Sequence, residues 1–346
     1  MTHELEIITD GALGRIALNR PAAINALSLA MIEGIFAALT RWRDDPAIGA
    51  VLFTGNGAKG FCAGGDVRAA RALVVAGTPE LADGYFAAEY RMNALIASYP
   101  KPAIALTHGI VMGGGIGIAG HCGFRLTQPG ARFAMPEAAI GFFADVGVNA
   151  ILAKAPLNRA LLFLMSGVSV GASDALALGL SDAVVRPEGV AAIEAELAHA
   201  AGTDHTVEGI VRLMQAETIV AGDAPFCALA DLLPPEPADS AAEFVARVAA
   251  VPRLAEISAL LSVRSPGSLV ATFLAQLKAR RLMQVEATLA MDLRLASVMA
   301  RRPDFAEGVR AVLVDKDQKP IWTPASLADF DPERDAGPIL AALEMP

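Results

Sequence analysis

The amino-acid sequence predicts an α/β fold followed by a helical C-terminal region, on the basis of three observations. Short apolar runs alternate with helical patterns up to about residue 185, an order typical of α/β domains. From about Glu188 onward the patterns are nearly all helical. The proline cluster at 233–237 cannot continue a helix and therefore marks a loop within that second part.

The predicted elements follow one another in a regular order. Apolar runs on both sides of Asp10-Gly11, a turn dipeptide, predict an opening hairpin over 5–18. Ser28 is a suitable N-cap for a helix over 29–42. The remaining predicted elements are a strand at 50–55, a helix at 80–96, a strand at 102–106, a helix at 116–120, strands at 124–127 and 132–134, and a last strand at 183–185.

Composition and charge exclude several classes of protein. The chain has 346 residues, of which 54% are hydrophobic and 19% charged, so one large or two medium-sized globular domains are expected. A net charge of −9 argues against a nucleic-acid-binding surface. Cys62, Cys122 and Cys227 form no CxxC pair and predict neither a disulfide framework nor a zinc site. The acidic start of the chain, and the lack of any apolar run of ~18 residues, predict a cytoplasmic protein without a membrane partner.

Two glycine-rich segments each follow a predicted strand and precede a predicted helix. The first is FCAGGD at 61–66 and the second is HGIVMGGGIG at 108–117. Glycine adopts backbone angles closed to other residues, and amides at a helix N-terminus bind negative charge. Two such loops could direct two amides at one carbonyl oxygen, which is the arrangement of an oxyanion hole.

Two simpler interpretations compete with an oxyanion hole. The first segment also fits an ordinary tight turn in which Asp66 caps the next helix. Gly115, Gly117 and Gly120 spell GxGxxG, the pattern of a dinucleotide-binding loop. That loop belongs to the first strand–helix unit of its fold and needs an acid about 20 residues further on, at the end of the second strand. Because this arrangement is missing, the dinucleotide interpretation is the weaker one.

Two acids, Glu137 and Asp145, lie in the otherwise apolar stretch MPEAAIGFFADVG at 135–147. Desolvation raises the pKa of a carboxyl group and nearby N–H donors lower it, so that such a pair can divide acid and base roles. Both residues fit helix caps or first-turn acids equally well. Glu89, on a predicted amphipathic helix, also fits a surface ion pair.

In this order and spacing, the segments FCAGGD, HGIVMGGGIG, RFAMPEAAIGFF and ADVG resemble the enoyl-CoA hydratase/isomerase (crotonase) superfamily. Within it, the closest likeness is to the family of 3-hydroxyisobutyryl-CoA hydrolases. The likeness runs from about Ile16 to Thr323, and the string DFAEGVRAVLVDKDQ at 304–318 is specific to the hydrolase branch. The resemblance implies a crotonase-like ββα spiral core over 1–200 that binds the CoA thioester and carries catalysis. It implies a helical C-terminal region over 201–346.

The resemblance also implies roles for individual residues. The amides of Gly65 and Gly114 would form the oxyanion hole, and Glu137 and Asp145 would be the catalytic acids. The implied substrate-binding positions are Glu89, Gly64, Asp66 and Gly113.

The resemblance further implies an acyl-CoA substrate in valine catabolism, with no metal ion and no cofactor other than the CoA of the substrate. It implies no nucleic-acid partner. Whether the chain forms a homo-oligomer is left open.

Departures from the family patterns bear on the activity. Hydratases of the superfamily carry a second glutamate just after the triple glycine, and its absence at Gly117 argues against simple addition of water to an enoyl double bond. The hydrolases usually read FFPDVGG, where this chain has Ala144 for the proline and Val148 for the second glycine, followed by Asn149. We therefore expect the loop around Asp145 to be reshaped and the acyl pocket to be narrower or turned.

The sequence thus predicts hydrolysis of a short β-hydroxyacyl-CoA thioester, similar to 3-hydroxyisobutyryl-CoA, to free acid and CoA. Glu137 would attack the carbonyl or activate water, and Asp145 would orient the substrate hydroxyl or the water. Two alternatives stay open. One is an enoyl-CoA hydratase or isomerase that acts through an enolate, and the other is a catalytically silent CoA-binding protein.

Overall fold

A computed structural model describes residues 4–344 of the chain. These residues form two compact units, each assembled from separate stretches of sequence. The sheet unit comprises the described residues up to Gly65 together with Arg91–Phe133 and Val170–Ala224. The helical unit comprises Asp66–Tyr90, Ala134–Ser169 and the described residues from Pro225 onward. The division predicted at residue 200 is one along the sequence and stays a prediction, whereas these units are defined by compactness in space.

Short strands and many helices make up the described residues, and both are numbered in chain order. The strands are β1 Leu5–Asp10, β2 Leu13–Leu18, β3 Ala50–Gly55, β4 Gly60–Cys62, β5 Ala103–Thr107, β6 Ile110–Met112, β7 Phe124–Thr127, β8 Arg132–Ala134 and β9 Ala183–Val184. The helices are α1 Leu29–Arg43, α2 Val67–Val75, α3 Pro79–Ala97, α4 Gly114–His121, α5 Val148–Leu152, α6 Leu157–Ser166, α7 Ala172–Leu178, α8 Val190–Ala201, α9 Thr206–Glu217, α10 Pro225–Ala230, α11 Ala241–Ala249, α12 Ala255–Ser262, α13 Pro266–Leu282, α14 Val285–Arg301, α15 Pro303–Val309, α16 Pro332–Asp335 and α17 Gly337–Glu344.

The sheet unit is built around two sheets. The larger has the strand order β1-β2-β3-β5-β7-β9, and the smaller has the order β4-β6-β8. Strands β1 and β2 pair antiparallel across a turn at Gly11, whose φ of +56° is open to glycine, and this confirms the predicted hairpin. The other pairs of the larger sheet are parallel. The predicted α/β class is therefore confirmed.

Helices α8 and α9 cover the larger sheet of this unit. Leu52, Ile104 and Leu126 of the strands pack in one buried cluster with Leu197 of α8 and Ile210 of α9. Parallel strands are normally covered and read as continuous apolar runs, which is why the strand at 50–55 is recognisable in the sequence.

Local signals placed some elements accurately and others less so. Ser28 caps α1 as predicted, because its Oγ accepts a hydrogen bond from the Met31 amide at 3.2 Å. Helix α4 begins at Gly114, two residues before its predicted start at 116. Strands β4 and β6 were not predicted, because each is three residues long and borders a glycine loop.

The helical unit has an aromatic centre. Phe142 stacks on Phe86 of α3 with ring centroids 5.1 Å apart, and it also contacts Phe143 at 5.0 Å and Phe305 of α15 at 5.3 Å. These rings are almost fully buried. Packing of this kind contributes both apolar burial and favourable ring geometry, so it fixes the segment that follows Glu137 against two helices.

The string at 304–318 anchors the same segment. Asp304 is fully buried and accepts hydrogen bonds from Ser265 Oγ at 2.6 Å and from the Thr323 amide at 2.7 Å. Gly141, with a φ of +72°, lies so close that a Cβ there would be 2.0 Å from the Asp304 carbonyl oxygen. The hydrolase-like string therefore supports the turn that carries Glu137.

Among residues 4–344, no single helix is both long enough and apolar enough to cross a membrane. In the same range, one bent pair of helical segments, Pro252–Ser262 and Pro266–Leu282 at 114° to each other, meets that requirement when taken together.

Candidate active site

The two glycine loops lie side by side in the sheet unit. Strands β4 and β6 pair in parallel, and a glycine loop follows each of them. Gly64 has a φ of +107° and Gly113 a φ of +49°, values that favour glycine. A Cβ on Gly64 would lie 3.3 Å from Met112 O and 3.5 Å from Gly114 N. The structure therefore brings together the two loops from which an oxyanion hole was predicted.

The amides of these loops differ in what they bind. The Gly64 N–H donates to Cys62 Sγ at 3.4 Å. Within the described part of the chain, the Gly65 and Gly114 amides donate to no protein acceptor. For Gly114 the reason is helical geometry, because the first N–H groups of a helix have no partner within it. Two free donors on adjacent loops suit a carbonyl oxygen that gains negative charge.

Asp66 caps a helix, as expected from the interpretation of its segment as a tight turn. Its Oδ1 accepts from the Ala69 amide at 3.3 Å, which makes it the N-cap of α2. Its own amide donates to Tyr85 Oη at 2.9 Å. The substrate-binding role implied for Asp66 stays a prediction beside this structural role, as do those implied for Gly64 and Gly113.

The predicted acids lie together in the helical unit, in what we call the carboxyl cluster: Glu89, Glu137, Asp145 and Asp292. Glu89 is on α3, Glu137 begins a single turn of 3-10 helix after Pro136, and Asp145 lies in the loop before α5. Their exposed fractions are 3%, 8% and 6%. Burial removes the surface-ion-pair interpretation of Glu89. The helix-cap interpretation of Asp145 also fails, because Gly147 caps α5.

Few protein groups satisfy the carboxyl oxygens of this cluster. Tyr90 Oη donates to Asp145 Oδ2 at 2.5 Å, and the Gly147 amide donates to Asp292 Oδ2 at 2.8 Å. Within residues 4–344, three buried carboxyl oxygens have no hydrogen-bond partner: Glu89 Oε1, Glu137 Oε2 and Asp292 Oδ1. A buried polar atom without a partner is costly, and at a functional site it indicates a group that a substrate or water would satisfy.

Burial raises the pKa of every carboxyl group in the cluster. It raises the pKa of Glu89 to about 8 and, against the hydrogen bond from Tyr90, the pKa of Asp145 to about 7. The pKa values of Glu137 and Asp292 lie well above the ordinary carboxyl value, first because of burial and then because of the negative charge on Asp145. The charge on Asp145 also adds to the shift at Glu89.

With raised pKa values, carboxyl groups of the cluster can bind and release protons near neutral pH. A buried carboxylate binds a proton more strongly than an exposed one, and the neutral acid can donate one. Carboxyl groups held in such surroundings are typical of sites that move protons or attack carbonyl groups.

Sequence reasoning missed two members of this site, Tyr90 and Asp292. Tyr90 follows Glu89 directly, but nothing local shows that it reaches a loop 55 residues away. Asp292 gave a usable signal: on α14 it shares the buried face with Thr288, Leu295 and Met299, at the spacing of core positions. An acid at such a position indicates a buried carboxyl group.

Comparison with known proteins extends this description. The chain matches the family model for enoyl-CoA hydratase/isomerase over residues 13–336. It is 37% identical over 325 residues to the mitochondrial 3-hydroxyisobutyryl-CoA hydrolase of Xenopus tropicalis, covering 92% of this chain and 84% of that protein. It is 33% identical to the human protein of the same name, covering 93% of this chain and 85% of that one.

Solved structures support the same fold. A carnitinyl-CoA dehydratase from Mycobacterium thermoresistibile is similar, with a TM-score of 0.88 and 30% identity over 100% of this chain and 97% of that one. An enoyl-CoA hydratase from Rhodobacter sphaeroides 2.4.1 is similar, with a TM-score of 0.89 and 32% identity over 97% of both chains. The crotonase-like fold is confirmed.

The expectation of a cytoplasmic location is wrong, because the curated relatives are named as mitochondrial proteins. The prediction rested on the acidic start of the chain and on the lack of a long apolar run, and neither feature identifies a compartment. Cys62, Cys122 and Cys227 are buried and form no disulfide, but reduced thiols do not distinguish one reducing compartment from another.

The glycine loops, the buried acids and the length of the family match lead to one conclusion. This chain belongs to the enoyl-CoA hydratase/isomerase family, and the two curated relatives compared above are 3-hydroxyisobutyryl-CoA hydrolases.

Proposed function

We propose that this chain hydrolyses 3-hydroxyisobutyryl-CoA, or a short β-hydroxyacyl-CoA thioester of similar shape, to the free acid and CoA. The observation that carries the proposal is the carboxyl cluster, in which Glu137 keeps one buried and unpartnered oxygen. The hydrolase name shared by relatives that match 92% or more of the chain supports the choice of reaction.

In the proposed reaction, the amides of Gly65 and Gly114 bind the thioester oxygen. Negative charge builds on this oxygen when the carbonyl carbon is attacked, and fixed amide donors stabilise that charge more than they stabilise the neutral thioester. Loss of one such donor typically costs about 3–4 kcal/mol of barrier, so this pair would supply a large share of the acceleration. Neither a metal ion nor a redox cofactor is needed for this step.

Glu137 is proposed as the group that starts the reaction, by either of two routes. In the covalent route its carboxylate attacks the thioester carbon, an anhydride forms and CoA leaves as a thiolate. Water then cleaves the anhydride, which releases the acid, restores Glu137 and protonates the thiolate. In the other route Glu137 takes a proton from the water that attacks the thioester.

Asp145 and Glu89 are proposed to contact the acyl group. Asp145, held by Tyr90, would accept a hydrogen bond from the substrate hydroxyl or from the attacking water. Glu89, with a pKa of about 8, is mostly protonated at neutral pH and would donate one. Hydrolysis of 3-hydroxyisobutyryl-CoA would place the reaction in valine catabolism.

Release of free thiol tests the proposal. The purified protein is incubated with 3-hydroxyisobutyryl-CoA, and CoA is quantified with a thiol reagent against a blank without enzyme. We expect rapid thiol release that Glu137→Gln lowers about a hundredfold or more. A screen over short acyl-CoA thioesters then defines the acyl specificity. Label found in Glu137 after a single turnover in ¹⁸O-labelled water would establish the covalent route, because label enters Glu137 only when water attacks the Glu137 carbonyl carbon of the anhydride.

An enoyl-CoA hydratase or isomerase is the second candidate function. The names of the structural relatives favour it, since one is an enoyl-CoA hydratase and another a carnitinyl-CoA dehydratase. Gly117 argues against it, because hydratases carry a second glutamate at that place. Loss of enoyl absorbance from crotonyl-CoA, without thiol release from 3-hydroxyisobutyryl-CoA, would decide for this candidate.

The remaining alternative is a silent CoA-binding protein. It predicts that Glu137→Gln and Asp145→Asn leave ligand affinity unchanged in a chain with no turnover, whereas an enzyme loses turnover. Homo-oligomer formation stays a separate proposal, and sedimentation of the purified chain measures it directly.

A further inference from the structure

The loop that carries Asp145 has a backbone that local sequence does not favour. Val146 has a φ of +54° and Gly147 a φ of +73°. A β-branched residue in the left-handed region is strained, so the surrounding structure must hold this conformation in place. The direction of the Asp145 carboxylate depends on it.

Two fully buried side chains accept hydrogen bonds from the backbone of this loop. Asp292 Oδ2 on α14 accepts from the Gly147 amide at 2.8 Å, and Thr272 Oγ1 on α13 accepts from the Ala144 amide at 3.3 Å. Asn149 forms a third hydrogen bond, in which the side chain is the donor: its Nδ2 donates to the Ala144 carbonyl at 2.6 Å. Both ends of the loop are thus held by side chains distant in sequence.

The bond to Thr272 explains how this chain tolerates one of its departures from the family pattern. Where the hydrolases usually have proline, Ala144 carries an N–H group, and this group is buried and needs an acceptor. Proline has no N–H and a fixed φ. Thr272 therefore both satisfies the additional donor and restrains the residue before Asp145.

We infer that Asp292 and Thr272 are positioning residues, which fix the loop by accepting its amide hydrogens and so set the direction in which Asp145 presents its carboxylate. The expected effect on kcat rests on the proposed function, whereas the expected restraint of the loop does not. Asp292 is a poor choice for packing alone, because its Oδ1 is buried without a partner and a leucine would fill the place at lower cost.

Substitutions at Asp292 separate positioning from packing. Asp292→Leu removes the acceptor, whereas Asp292→Asn keeps an amide oxygen that can accept from Gly147. We expect Asp292→Leu to lower kcat for thiol release at least tenfold with KM within threefold, and Asp292→Asn to restore most of kcat. Thr288→Val, one turn earlier on α14, is the matched control, because the Thr288 hydroxyl donates to the Gln284 carbonyl at the start of the same helix.

A second pair of variants covers the case in which Asp292→Leu fails to fold. Thr272→Val leaves the Ala144 amide without an acceptor, and we expect kcat to fall. Adding Ala144→Pro to that variant removes the orphaned N–H, and we expect kcat to recover. Equal loss in the single and double variants would overturn the role of Thr272.

Hydrogen exchange tests the positioning without any substrate. Amides of peptides that span 144–149 should exchange faster in Asp292→Leu and Thr272→Val, but not in Asp292→Asn or Thr288→Val. Unchanged exchange and unchanged kcat would overturn the inference. Absence of thiol release from the unmodified protein would instead refute the proposed function, and the exchange result would still decide on positioning.

Discussion

Tyr90→Phe is the sharpest test of how the carboxyl cluster works. Tyr90 Oη donates to Asp145 Oδ2 at 2.5 Å, and both side chains are buried. The substitution removes only the hydroxyl. The ring keeps its contact with Phe86, whose centroid is 6.2 Å away, so the packing of α3 should be preserved.

The size of the effect follows from the hydrogen bond that is lost. A hydrogen bond to a charged group contributes about 1.5–3 kcal/mol, and 1.36 kcal/mol corresponds to a tenfold change in proton affinity. The bond from Tyr90 lowers the pKa of Asp145, which is about 7 with the bond present. Its removal should therefore strengthen proton binding by Asp145 roughly tenfold to a hundredfold.

The pH profile of kcat/KM for thiol release measures this change. Asp145 acts as an acceptor in the proposed mechanism, so its ionised form is the active one, and the acidic limb of the profile should move to higher pH. At pH 7 the ionised fraction would fall from about a half to a tenth or less, lowering the rate about fivefold to fiftyfold, with recovery at alkaline pH.

Tyr99→Phe is the matched control, because Tyr99 Oη donates at 2.9 Å to the Leu39 carbonyl in the sheet unit. It should leave the profile unchanged. An acidic limb of Tyr90→Phe that coincides with that of the unmodified protein, or that moves to lower pH, would refute the reasoning.

Three further predictions concern the catalytic role of Glu137, the turn at Gly141 and the pH dependence of the stability. Glu137→Gln should lower kcat about a hundredfold to ten-thousandfold while the dissociation constant for CoA, measured by calorimetry, stays within threefold; retained turnover would contradict its role. Gly141→Ala should destabilise the protein by more than ~1 kcal/mol in urea denaturation, because its φ is +72° and a Cβ would lie 2.0 Å from a carbonyl oxygen, whereas Gly130→Ala, with open space around it, should not. The pKa values of Glu89 and Asp145 in the folded protein, about 8 and about 7, lie above their ordinary values of 4.5 and 3.8. At any pH between the ordinary and the raised value, unfolding therefore releases protons from these groups. The free energy of unfolding should therefore fall as pH rises from about 4 to about 8, by up to ~1.4 kcal/mol per pH unit for each proton released, and Glu89→Gln should flatten the decline; stability that rises over this range would contradict the shifts.

Features fixed by short stretches of sequence could be predicted. The hairpin at Gly11, the cap at Ser28 and the buried strand β3 each depend on a few neighbouring residues, and the structure confirms all three. The start of α4 at Gly114 could not be placed from local signals, since consecutive glycines are poor helix formers. The neighbouring loop that approaches it through Gly64 is about fifty residues earlier in the chain.

The same distinction applies to the site. Glu137 and Asp145 stand out because acids are rare in an apolar stretch and because their motif resembles that of a known family. Their hydrogen bonds and pKa values depend on residues that the motif does not contain. Tyr90 is 55 residues from Asp145, and Asp292 is 145 residues from Gly147, so neither contact could be read from spacing.

The carboxyl groups of the cluster differ in their hydrogen bonds, and their charges act on one another. Asp145 accepts the hydrogen bond from Tyr90, which lowers its pKa against the effect of burial. Glu137 keeps an unpartnered oxygen, and its pKa is raised first by burial and then by the charge on Asp145. That charge also raises the pKa of Glu89. Ionisation of Asp145 therefore makes ionisation of the two glutamates harder, so the apparent pKa values of the rate profile belong to the coupled acids rather than to one residue.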